Sequence, residues 1–323
     1  MSRYVVTGCA GLIGSQVTHT LLSNGHSVIG IDSLNKSYDE RLKNWRVDQF
    51  KNDPMFDFHI ADIRDANTLK YIFNNDINAV INLAAKAGVR QSLIEPLQYY
   101  ETNVIGTVNL LEMCRTFNIK KFVLASTSSL YGDKSQQPLQ ETTDTNSPLS
   151  PYSASKKAAE AICYTYHHLY NIDITIPRYF TVYGPAGRPD MAIFKFIQWI
   201  AEGIPITIFG DGEQTRDFTY VDDIAKGTIL SLKQLGYETI NLGSDKPVSV
   251  NTCISLIEEC LHKSAQKQYL PRHPADVQNT WANISKAKDL LEWQPRTDLR
   301  EGIKQTVNWY LENQSWVRTI ITS

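Results

Sequence analysis

The run Thr7-Gly-Cys-Ala-Gly-Leu-Ile-Gly14 follows the strand-like Tyr4-Val5-Val6 and opens a segment with helical spacing. Glycines at 8, 11 and 14 in a strand-to-helix turn let backbone N–H groups come close to a pyrophosphate, and the helix N-terminus favours the negative charge. The spacing is Gly-x-x-Gly-x-x-Gly rather than Gly-x-Gly-x-x-Gly. The glycines alone are a weak signal; their place between a strand and a helix sharpens it. A chain that opens this way is held to an α/β fold with a ligand at its first corner.

The rest of the first half keeps the same alternation. Strands are predicted at 3–7, 27–32, 56–62, 79–83 and 121–126, and helices at 13–24, 66–74 and 99–117. This succession implies a parallel, doubly wound sheet. A polar loop at 136–151 precedes a helix over 152–170 and a strand at 173–177. Beyond Tyr179 prolines and glycines become frequent and the regular alternation stops. The predicted division is therefore 1–178 for the sheet domain and 179–323 for a smaller, partly interleaved substrate domain. Segments near 220–245 are expected to return to the main sheet.

Asp32 ends the second strand, 18 residues after Gly14. A carboxylate there can accept from adenosine ribose hydroxyls and would repel a 2′-phosphate, so NAD is favoured over NADP. Asp62 follows the third strand, placed to reach an adenine amino group. Leu83, Ala84, Ala85 and Lys86 close the fourth strand, where small residues allow close backbone approach or tight packing.

Tyr152 and Lys156 stand one helical turn apart and share a face. A phenol has an ordinary pKa of about 10, and a neighbouring ammonium should lower it toward use as a base. Between this pair and the glycine turn lies Ser126-Thr-Ser-Ser-Leu-Tyr-Gly132, whose hydroxyls fall at the carboxyl edge of the sheet, where open α/β sheets bind ligands. A hydroxyl there could assist proton transfer or cap the loop.

Composition removes other classes. A formal net charge of −2 over 323 residues leaves no nucleic-acid or membrane-surface footprint. No apolar run is long enough to span a bilayer, and no signal segment precedes the first strand, so a cytoplasm-like compartment is expected. The 5 cysteines form no Cys-x-x-Cys pair, and the 7 histidines show no ligand spacing, so neither a disulfide framework nor a metal site is expected.

Taken together, these motifs resemble the extended short-chain dehydrogenase/reductase family, and within it the nucleotide-sugar epimerases, over nearly the whole chain. The resemblance implies a Rossmann sheet with NAD held by Gly8, Gly11, Leu12, Ile13, Gly14, Asp32, Asp62, Ile63, Leu83, Ala84, Ala85, Lys86, Asn103 and Tyr179 as well as Tyr152 and Lys156. It makes Tyr152 the base, Lys156 its partner and Thr127 the hydroxyl beside the sugar's 4-position. Ser128, Thr181 and Arg188 would face the sugar, with Arg188 on a uronate carboxylate. Arg216 would bind UDP phosphates, and Asp276, with Arg272 and His273 nearby, the uridine side. Ala87-Gly-Val-Arg90, Thr181-Val-Tyr-Gly-Pro185 and Gly187-Arg-Pro-Asp-Met-Ala192 bring the chain nearest to the UDP-glucuronate 4-epimerase subgroup. Dehydratases and decarboxylases of this kind carry a carboxylate after the threonine; here Ser128 and Ser129 stand there. The implied reaction is NAD-dependent epimerisation of UDP-glucuronate to UDP-galacturonate through a 4-keto sugar, by a homodimer. The rival readings are a 4-epimerase of neutral UDP-hexoses, a decarboxylase, and a non-catalytic NAD-sensing protein.

Overall fold

The computed structural model describes residues 1–134, 136–272 and 277–322. Its centre is an eight-stranded parallel sheet. In spatial order the strands are Tyr237–Leu242, Asp173–Tyr179, Lys121–Leu124, Ala79–Asn82, Arg3–Thr7, Ser27–Asp32 and Phe56–Ile60, with Ser126–Thr127 paired beside Asp173–Tyr179. The strand order reverses between Arg3–Thr7 and Ala79–Asn82, so a crevice opens at their carboxyl ends. The doubly wound parallel sheet is thus the one the alternation predicts.

The strands are almost wholly apolar because both faces are covered. Val5, Ile29, Val80, Phe122 and Ile174 belong to one buried cluster, and Val6, Val28, Ile81 and Val123 to another. A further core gathers the helices Ala192–Glu202, Val250–Leu261 and Leu299–Glu312, and takes in Leu42 from the helix Glu40–Asp48. Chain after 179 also rejoins the sheet side. Tyr237–Leu242 pairs in register with Asp173–Tyr179, and the helix Val221–Leu230 packs on Leu12–Ser23.

Four local departures from the sequence reading matter for the site. The strand expected at 121–126 breaks at Ala125, whose carbonyl is taken by Lys156 rather than by a neighbouring strand. The strand expected to stop at Pro177 runs on to Tyr179, with Pro177 level with that break. The long helix expected over 99–117 is Pro96–Tyr100, a π-helical turn Glu101–Ile105 and Gly106–Thr116. The inserted turn carries Asn103, and π turns of this kind recur at functional sites. Finally, the helix Glu40–Asp48 has no clear apolar stripe, because its buried face is Leu42, Lys43, Arg46 and Val47, half of it charged.

Candidate active site

The glycine turn is shaped by contacts that leave no room for side chains. Gly8 has φ +69°, and a Cβ on it would stand 2.7 Å from the Ala84 nitrogen; one on Gly14 would stand 2.0 Å from the Gly8 oxygen. Ala84 and the end of Leu83 therefore close directly on the turn. Gly11 caps the helix Leu12–Ser23, which begins without a side-chain acceptor for its first N–H groups. Asp32 is buried, and its carboxylate accepts from the Ala10 N–H at 3.1 Å and the Leu34 N–H at 2.8 Å, with the Lys43 ammonium 3.9 Å away. A cradle that a single methyl would fill, a bare helix N-terminus and a fixed carboxylate at the next strand end fit the pyrophosphate and ribose of NAD.

The other predicted cofactor residues lie at or just past the ends of sheet strands and on the helical turns beside them. Asp62 is held by the Arg64 guanidinium at 2.7 and 3.0 Å; partial burial raises its pKa, and the Arg64 contacts bring it below the ordinary value. Ile63 is buried against Gly106. The Asn103 amide accepts from the Lys86 N–H and donates to the Lys86 carbonyl and the Ser155 hydroxyl, all within 3.0 Å, so it braces the strand end against the helix Pro151–Tyr170. Asn82 joins Thr7 to Thr107. Tyr179 shares a hydrogen bond with Thr228 at 2.8 Å.

The helix Pro151–Tyr170 starts at Ser150, where a capping box with Ser153 satisfies the first backbone groups and Pro151 sets the entry. This fixes Tyr152 in its first turn. Burial raises the Tyr152 phenol above its ordinary pKa, and a hydrogen bond with Thr127 and the charge of Arg188 pull it back. The reading from sequence gave that lowering to Lys156. In the structure Lys156 turns to the Ala125 carbonyl at 3.0 Å, and burial lowers its own pKa to about 8 against the opposing charge of Glu160. Thr127 also accepts from the Ser129 N–H at 3.1 Å, which aims the short turn Ser128–Tyr131.

One turn below Lys156, Glu160 receives a forked bond from Arg178 at 2.9 and 2.7 Å and a hydroxyl bond from Ser126 at 2.6 Å. Across the crevice, Arg188 forms a two-point ion pair with Asp190 at 3.0 and 2.6 Å and reaches the Ala87 carbonyl at 3.4 Å. Thr181 begins a strand paired with Phe218–Tyr220. Arg216 donates to the Thr215 and Gln278 carbonyls and lines a cavity with Phe209, Gln214 and Arg272. Asp217, fully buried, accepts from the Ser244, Asp245 and Ala282 N–H groups and so ties three segments beside that cavity. Asp276 and His273 lie outside the described residues. Among the described residues no cluster of His, Cys, Asp and Glu is placed to hold a metal ion, and no helix is long and apolar enough to cross a membrane.

Sequence reasoning had missed Lys43, Glu160 and Asp217. Glu160 carried a signal, since it continues the Tyr152, Lys156 face at i+8; Lys43 is fixed by Asn35 and Asp32 a short way back in the chain, and Asp217 by contacts far away in it.

A tyrosine and a lysine one helical turn apart, beside a glycine-cradled crevice on a doubly wound sheet, mark the extended short-chain dehydrogenase/reductase class. Within it, the chain belongs to the family described as GDP-mannose 4,6 dehydratase, which matches residues 5–306. It is 55% identical over 322 residues to UDP-glucuronate 4-epimerase of Thermodesulfobacterium geofontis, covering 99% of each chain. Among solved structures it resembles UDP-glucuronic acid 4-epimerase from Bacillus cereus in complex with UDP-glucuronic acid and NAD, with TM-score 0.92, 39% identity, and coverage of 96% of this chain and 99% of that one. It also resembles UDP-glucose 4-epimerase from Thermotoga maritima with UDP-glucose, with TM-score 0.89, 32% identity, and coverage of 97% and 99%.

Proposed function

We propose that this protein is an NAD-dependent epimerase that inverts the 4-position of UDP-glucuronate to give UDP-galacturonate. The observation that carries this reading is the Tyr152 phenol hydrogen-bonded to Thr127 and acted on by the charge of Arg188, with Ser128 and Ser129 where a further acid would stand. The strong likeness to the two glucuronate epimerases supports the same substrate over the neutral hexose of the Thermotoga enzyme.

NAD, when bound, supplies a reversible hydride acceptor for the sugar's C4, and Gly8, Gly11, Gly14 and Asp32 are the residues that would hold it. Tyr152 Oη takes the proton of the 4-hydroxyl and returns it when the alcohol is restored on the other face. The pKa of the phenol, raised by burial, must come down for this, and Arg188 and Thr127 act in that direction. Arg188 also suits the uronate, because a guanidinium fork matches a carboxylate; the Asp190 carboxylate occupies that fork in the structure. Holding the carboxylate in plane with the C4 carbonyl of the β-keto acid slows loss of carbon dioxide, a matter of orientation that hydrogen bonds from Ser128, Thr127 and Arg188 would enforce. Thr181 faces the sugar, and Arg216 and Arg272 face the UDP.

We read 1–178 as the cofactor side and 179–323 as mainly the substrate side. The 5 free cysteines suit a reducing, cytoplasmic setting. We further propose a homodimer through the apolar residues exposed on 99–117 and on the catalytic helix, among them Ile105, Tyr164 and Leu169; a monomeric mass in solution would refute it.

The test is to incubate the purified protein with UDP-glucuronate, without added NAD, and separate the products with mass detection. A new peak of unchanged mass is the expected result. A peak lighter by carbon dioxide, or turnover confined to UDP-glucose, would overturn the reaction or the substrate.

A further inference from the structure

Arg46 stands between the two halves of the site and belongs to neither set of residues assigned above. It is 2% exposed, and among the described residues it pairs with no carboxylate. Each of its N–H groups goes instead to a neutral oxygen. Nη1 donates to the Ala10 carbonyl at 2.9 Å and the Tyr38 hydroxyl at 2.7 Å. Nε donates to the Ala186 carbonyl at 3.0 Å, and Nη2 to Ala186 at 2.6 Å and Gly187 at 3.3 Å. Isolating a charge in this way is costly, so the arrangement calls for a reason.

What it holds supplies that reason. Ala10 lies inside the glycine turn, and its own N–H is the one bound by Asp32. Ala186 has φ +50°, a left-handed conformation that costs an alanine about 1–2 kcal/mol. Two of Arg46's donors converge on the carbonyl of this strained residue. The next residues are Gly187, where a Cβ would stand 3.1 Å from the Gly184 oxygen, and Arg188. The direction in which Arg188 leaves the turn is therefore set by the conformation that Arg46 clamps. With all its donors engaged, Arg46 is not itself a ligand.

On the uronate reading above, we infer that Arg46 is a positioning residue that joins the cofactor cradle to the loop carrying Arg188, so that one guanidinium governs both retention of NAD and preference for a uronate over a neutral sugar. A lysine at this position keeps the charge but has a single head that cannot reach Ala10 and Ala186 together.

The experiment compares wild type, Arg46→Lys, Arg46→Met and a same-helix control, Arg41→Met, whose side chain is 45% exposed and pairs with Asp39 at the surface. Two quantities are read. One is NAD per chain after gel filtration, measured by denaturing the protein and quantifying the dinucleotide. The other is the ratio of Kd for UDP-glucose to Kd for UDP-glucuronate, by calorimetry in excess NAD; the fraction of folded protein does not alter this ratio. In both Arg46 variants we expect retained NAD to fall below half the wild-type content and the ratio to fall about tenfold, equivalent to about 1.4 kcal/mol, with the control unchanged. A variant that loses NAD but keeps the wild-type ratio, or the reverse, overturns the coupling. A lowered melting temperature with both readouts intact makes Arg46 merely structural and overturns it too. Should Arg46→Met not fold, Arg46→Lys decides alone. A wild type that binds both sugars equally refutes the uronate reading itself, and this inference falls with it.

Discussion

Glu160 and Arg178 offer the sharpest test of how the helix Pro151–Tyr170 is anchored. Both side chains are 5% exposed, and the guanidinium meets the carboxylate through two bonds while Ser126 fills a further acceptor site. Burial works against the Arg178 charge, and Glu160 more than compensates, so its pKa lies above the ordinary value. Glu160→Gln keeps the shape but leaves a desolvated guanidinium without its anion. Breaking a buried pair from one side costs about 3–5 kcal/mol, a fifth or more of the roughly 5–15 kcal/mol that holds a domain folded. Arg178→Met should cost a similar amount at neutral pH. The double variant removes both charges and should cost less than the sum of the singles by about 2 kcal/mol or more. Equilibrium urea unfolding of the four proteins gives all three values. Additive singles, or a Glu160→Gln loss under about 1 kcal/mol, would refute the claim that this pair is a desolvated unit.

Three further outcomes follow from the site. Tyr152→Phe should retain NAD and the wild-type melting temperature while losing about 10²–10⁴ in kcat; full turnover would end its assignment as base. Gly14→Ala puts a methyl 2.0 Å from the Gly8 oxygen and should lower NAD retained on gel filtration together with stability, by about 1–3 kcal/mol; unchanged NAD content would refute the cradle. Lys156, with its folded pKa down at about 8 from 10.5, binds fewer protons folded than unfolded between those values, so its contribution makes stability rise with pH across that window, and the deficit is fully present below pH 8. The stability of wild type minus that of Lys156→Met should therefore increase from pH 8 to 10.5 in urea melts; a flat difference would contradict it.

What could be read from sequence is what backbone rules control locally. The glycine turn, the strand ends at Asp32 and Asn82, and the helix opening at Pro151 lie within a residue or two of their predicted places, because glycine, proline and apolar runs act over a few neighbours. The π turn at Asn103 escaped, because nothing in 99–117 breaks the apolar spacing; the extra residue is stabilised by Lys86 and Ser155, which the sequence leaves far away. The helix Glu40–Asp48 escaped for the opposite reason. Its inward face is charged, and oxygens outside the helix make that burial tolerable: the Ala10, Ala186 and Gly187 carbonyls and the Tyr38 hydroxyl for Arg46, and Asn35 with the Asp32 carboxylate for Lys43.

The same contrast explains the roles at the catalytic helix. Spacing placed Tyr152 and Lys156 on one face and suggested that the lysine tunes the phenol. The face extends a turn further, and its three polar residues meet three consecutive residues across the break in the sheet: Tyr152 meets Thr127, Lys156 the Ala125 carbonyl, and Glu160 the Ser126 hydroxyl. A helix gripped at successive turns cannot slide without losing all three contacts, so the position of the phenol is set by bonds to the residues at and beside the break at Ala125. The charge that tunes the phenol then comes from outside the helix, from Arg188 on a strained loop. Position and electrostatics are thereby separated. A variant of Glu160 or Ser126 should shift kcat through geometry, while a variant of the 186–188 loop should shift the pH at which the phenol works.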